Sequence, residues 1–75
     1  MTKRCNIFVT KAGDQVLAGI ILLHEDGSFT YSPSVGFEIL MQNLVNDRMG
    51  VAPVDWFNAL PKTYTGSYLR AEIED

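Results

Sequence analysis

The sequence predicts an α+β domain: a small antiparallel sheet, built as a three-stranded meander plus a C-terminal strand, with one amphipathic helix and a short second helix. Three observations lead there. Apolar and β-branched runs separated by turn residues fill positions 5–32, a 3.6-residue apolar period holds over 35–49, and strict alternation returns near the C-terminus. Seventy-five residues make a single domain, 1–75. A chain of this size buries only about 60% of its unfolded surface, so every covered apolar face matters to its stability.

Residues 5–11, CNIFVTK, set Ile7 and Val9 in alternation with Asn6, Phe8 and Thr10, a strand with one inner face. AGDQ at 12–15 is a turn, with Gly13 and Asp14 suited to unusual backbone angles. VLAGIILLHE follows at 16–25, a continuous apolar run of the kind found in strands buried on both faces. Plain alternation puts Val16, Ala18, Ile20 and Leu22 on one side and Leu17, Ile21 and Leu23 on the other. Asp26-Gly27 is a hairpin signal, and FTYS at 29–32 reads as the third strand.

A helix is predicted over 35–49. Phe37, Leu40, Met41, Leu44 and Val45 share one face, Ser32 or Ser34 supplies a cap, Pro33 suits the first turn, and Gly50 ends it. Gly36 weakens its first turn, and Arg48 suits its C-terminal dipole. Pro53 starts a second, short helix through VDWFNAL that Pro61 stops. KTYTGS is a loop. In YLRAEIED, Leu69, Ala71 and Ile73 alternate with Tyr68, Arg70 and Glu72 as in a half-exposed strand; Leu69 and Ile73 are also four apart, as in a helix, and the alternation favours the strand.

Composition excludes several functions. Nine acids against six bases give a net charge of −3, which argues against binding a phosphate backbone. One cysteine, Cys5, allows no internal disulfide and points to a cytoplasmic protein, with Cys5 acting as a small apolar residue. No secretory h-region is visible, and the longest apolar run, VLAGIILL, is too short to span a bilayer. The single histidine, His24, rules out a His-rich metal site within this chain. His24, Glu25, Asp26 and Ser28 crowd together, but turn chemistry accounts for them. No phosphate-binding glycine loop or nucleophile elbow is present. The expectation is a protein that is not an enzyme and needs no cofactor. Glu72, Glu74 and Asp75 read as a solvated tail. Lys62 and Arg70 near Tyr64 and Tyr68 form the mixed basic-aromatic pattern of single-strand binders, against which the overall acidity weighs.

One long helix covers one sheet face, yet residues 16–23 are apolar at both parities. Either Trp56, Phe57 and Leu60 fold back over the second face or another chain covers it. Trp56, the only tryptophan, is thus a packing residue or a partner anchor. Trp56, Phe57, Tyr64, Tyr68 and Arg70 are the candidate partner-binding residues.

The order of VLAGIILLHEDGSFTYSPS and DWFNALP…YLRAEI resembles the N-terminal subdomain of HipA-type toxin kinases. Ala18-Gly19, Asp26-Gly27, Phe29, Tyr31, Pro33, Trp56, Phe57, Asn58, Leu60 and Pro61 echo its motifs over about half the chain. The family's P-L-S-L-S-L-P stretch is replaced here by the helical segment. The resemblance implies a stand-alone, antitoxin-like piece that binds a separate kinase and has no catalytic residues of its own. Size and composition alone suggest an inhibitor or regulator of a larger bacterial protein, of the phage or mobile-element anti-defence type. The second expectation is a self-associating assembly protein whose open sheet face forms a homodimer.

Overall fold

A computed structural model describes residues 2–74. The sheet grows from its turns. Strand β1 (Lys3–Lys11) returns into β2 (Asp14–Leu23) through Ala12 and Gly13, both at positive φ (53° and 84°). That backbone is the tight hairpin turn whose twist matches the strands it joins. The next turn is held by Asp26, whose Oδ1 accepts the Ser28 N–H (3.0 Å) and hydroxyl (2.6 Å). The His24 N–H donates to the Ser28 carbonyl and leads into β3 (Phe29–Pro33).

The C-terminal segment is a strand, β4 (Leu69–Glu74), antiparallel to β1 with Ile7 opposite Ala71 and Cys5 opposite Ile73. The sheet order is therefore β3-β2-β1-β4, a meander with the last strand added beside the first. Glu72 and Glu74 belong to this strand rather than to a solvated tail; Asp75 lies outside the described residues.

The register corrects the expected parity of β2. Ile7 faces Gly19 but Phe8 faces Leu17, so Ala18 is an extra residue, a β-bulge. Beyond the bulge the alternation flips. Val16 faces Val9, and Ala18, Ile21 and Leu23 are buried with it on the inner side, while Leu17, Ile20 and Leu22 share the outer side. The sequence shows a period of two and carries no mark of the register slip, beyond the two small residues at 18 and 19.

Helix α1 (Glu38–Asn46) is shorter than the expected 35–49. Gly36 has φ 89° and lies before the helix, and its N–H donates to the Glu38 carboxylate. Neither Ser32 nor Ser34 caps it: Ser32 and Pro33 are in β3, and the Ser34 N–H donates to the Ala18 carbonyl. Helix α2 (Pro53–Thr63) begins with proline at its first position and runs past Pro61. So late in a helix, proline removes one backbone bond only. Past it the Thr63 hydroxyl and the Tyr64 N–H donate back to the Ala59 and Leu60 carbonyls, respectively.

Both helices lie on the same face of the sheet. Met41 and Leu44 from α1 and Trp56, Phe57 and Leu60 from α2 form one core with Cys5, Ile7, Val9, Ala18, Ile21, Leu23 and Ala71. Met41 sits directly on Gly19, where a Cβ would lie 2.7 Å from its Sδ and Cε. Full burial of each large side chain contributes about 1.5–3 kcal/mol. Among the described residues no helix is long and apolar enough to cross a membrane.

Candidate functional site

The five residues singled out from the sequence separate in space. Trp56 is 8% exposed, where it lines a hollow beside α2, and Phe57 is fully buried, so both are core residues. Trp56 meets Phe29 at 5.0 Å between ring centroids, tilted by 56°. The Arg48 guanidinium lies 5.2 Å from the same Phe29 ring and donates to the Val51 carbonyl at 2.7 Å. Phe29 therefore ties β3 to α2 through Trp56 and to the inter-helix connection through Arg48. The role of Trp56 is packing.

Tyr64 is half-buried where two hollows meet, one of about 410 Å³ between α1 and Leu69 of β4 and one of about 470 Å³ between α2 and the inter-helix connection; Asp47 lines both with it. Burial, and secondarily the Asp47 carboxylate, pushes the Tyr64 phenol above its ordinary pKa. Tyr68 is 63% exposed at the start of β4, with its carbonyl accepting the Thr10 N–H. Arg70 lies on the far side of the sheet. Its guanidinium sits 4.9 Å from the Phe8 ring centroid, donates to Glu72 Oε2 at 2.6 Å and reaches Gln15 Oε1 at 2.9 Å.

Arg70 leads to the open sheet face that the sequence anticipates, with members it did not identify. Phe8, Leu17, Ile20 and Leu22 lie side by side on the outer face, half-buried by one another, and none belongs to the core that the helices cover. Along β1 and β4 this apolar strip is edged by Arg4, Asn6, Arg70, Glu72 and Glu74. Arg4 Nε bonds Glu74 Oε2 and Asn6 Oδ1 at 2.9 Å, and Asn6 Nδ2 donates to Glu74 at 2.7 Å. The signal in the sequence was the double-parity run of β2; the bulge hid which residues it would leave outside.

The HEDGS cluster is a turn: His24 Nε2 pairs with the Thr30 hydroxyl at 3.0 Å and Asp26 with Ser28. Hydrogen bonds from Ser28 hold the Asp26 carboxyl below its ordinary pKa. Among the described residues no group of three or more His, Cys, Asp or Glu is placed to hold a metal ion. Cys5 is buried, and that burial pushes its thiol up to about 11, so it rests as the neutral thiol. Comparison with protein-family models, curated proteins and solved structures finds no significant match.

Proposed function

We propose that this chain is a non-catalytic protein-binding module that docks through the outer face of its sheet and acts as an inhibitor or regulator of a larger bacterial protein in the cytoplasm. The observation supporting this is the contiguous apolar strip of Phe8, Leu17, Ile20 and Leu22, which neither helix covers. An apolar centre within a polar rim is the usual anatomy of a contact surface. Arg70, stacked on Phe8, belongs to that rim. The resemblance to HipA-type N-terminal subdomains makes a kinase the first partner to test; a nuclease complex is the partner expected of an anti-defence protein.

The test is affinity capture from bacterial lysate with the tagged chain, an Ile20→Asp variant and a Val54→Asp control on the exposed helical side. The reading expects one stoichiometric larger protein, retained by the first and third and lost by the second. Equal retention by Ile20→Asp refutes docking through this face.

A further inference from the structure

We infer that in the free protein the outer sheet face is covered by a second copy of this chain, in a two-fold sheet-on-sheet dimer that a larger partner must displace. This rests on the reading of that face as a docking surface and names its occupant.

Charge selects the occupant. The chain carries −3, so most faces of two copies repel each other. The outer face is different. Among the described residues its ionised groups are Arg4, Arg70, Glu72 and Glu74, two of each sign, already paired as Arg4–Glu74 and Arg70–Glu72. A neutral face with an apolar centre suits an identical neutral face; a strongly basic or acidic partner finds no net charge there to match. With the two-fold axis lying across the strands, the β1–β4 border of one copy meets that of the other, where cations and anions can exchange partners.

Backbone geometry disfavours joining copies edge to edge. On the free side of β4 the Ala71 N–H is taken by the Tyr64 carbonyl, and on β3 Pro33 has no N–H to give. Face-to-face packing, with sheets about 10 Å apart, remains.

Area sets the size class of the interface. Four strands about 4.8 Å apart and about six residues long give a face of roughly 400 Å² in projection. Two such faces bury roughly 800–1,200 Å² once side-chain relief is included, at or below the low end for specific interfaces. The dimer therefore belongs to the size class of transient interfaces and can be displaced.

The test is sedimentation equilibrium of the full chain from low micromolar to near-millimolar concentration, on the wild type and on Ile20→Asp, Ile20→Thr and Val54→Asp, with circular dichroism confirming each fold. Ile20→Asp brings two carboxylates to the interface, each weakening it about tenfold, for a loss of roughly 100-fold. Ile20→Thr, which keeps the β-branch, weakens it less and secures the result if the aspartate variant does not fold. The expected result is a concentration-dependent wild-type dimer, weakened in both Ile20 variants and unchanged in Val54→Asp. A wild type that stays monomeric throughout, or a dimer indifferent to Ile20, overturns the inference. A monomer that still captures a larger protein through Ile20 overturns the second copy and leaves the docking surface standing. A dimer through Ile20 that captures nothing supports the second copy and refutes the larger partner.

Discussion

Ile20 and Ile21 are neighbours in the chain and in composition, yet their replacement by threonine must have very different consequences. Ile21 is fully buried against the helices. Removing a methylene there costs about 0.5–1.5 kcal/mol, and an unsatisfied hydroxyl in its place about 1–3 kcal/mol more. The total, roughly 2–4 kcal/mol, is a large share of the about 4–11 kcal/mol that 75 residues typically provide. At about 4–8 °C per kcal/mol, Ile21→Thr lowers the melting temperature by roughly 10–30 °C. On the outer face the Ile20→Thr hydroxyl meets water, and threonine keeps the β-branched shape, so the loss stays within about 1 kcal/mol. Leu17→Thr decides the bulge. Plain alternation groups Leu17 with Ile21 and expects a loss of the same order; the bulge at Ala18 groups it with Ile20 and expects a small one. Thermal unfolding followed by circular dichroism and by the emission of Trp56, buried in the fold, reads all three. A Leu17→Thr loss as large as that of Ile21→Thr removes the bulge. An Ile20→Thr loss of that size means the outer face is covered within the chain.

Gly19→Ala drives a methyl into Met41, which is fully buried, and destabilises by about 1–3 kcal/mol in urea unfolding; pairing it with Met41→Ala costs less than the sum of the two single changes. Ala12 sits at φ 53° in the first hairpin turn, so Ala12→Asn, better suited to that backbone, raises stability by up to about 1 kcal/mol in the same assay. Cys5 resists thiol reagents in the folded protein and reacts at the rate of opening, which labelling across denaturant measures. Its thiol is raised from 9.0 to about 11 on folding, so the associated stability is complete below pH 9 and lost as pH climbs from there through about 11; a Cys5→Ala variant lacks that alkaline loss.

Much of the fold was legible because local chemistry and tertiary structure agree. Ile7 and Val9 alternate because β1 has one covered face, Asp26-Gly27 turns because Asp26 can hold Ser28, and Leu69, Ala71 and Ile73 alternate because β4 completes that inner face. Trp56 resolved to packing once Phe29 was seen against it, a contact across a long stretch of chain that no local pattern reports. Pro61 and Gly36 misled in opposite directions. A proline near a helix end loses little, and a glycine at φ 89° delays a helix whose apolar period already runs through it. The candidate surface was half legible. Two apolar parities in β2 announce an uncovered side, but its membership depends on Ala18, and a bulge is a property of the pair of strands rather than of either one.

The open face follows from a mismatch of layers. Strand β2 supplies apolar side chains to both sides of the sheet, while helices of 9 and 11 residues, about 14 and 17 Å long, supply a covering layer for one. Among the described residues the exposed large aliphatic and methionine side chains lie elsewhere: Val35, Met49 and Val51 in the loops around α1, Val54 in the first turn of α2, and Ile39 at the rim of a hollow beside α1. On the outer face the four apolar side chains are contiguous, and the chain covers only their edge, with Arg70 laid over Phe8. That cover has a cost, since Arg70 Nε is buried there without a hydrogen-bond partner. A guanidinium held in this way, over Phe8 and against Glu72 and Gln15, shields that edge of the face from water.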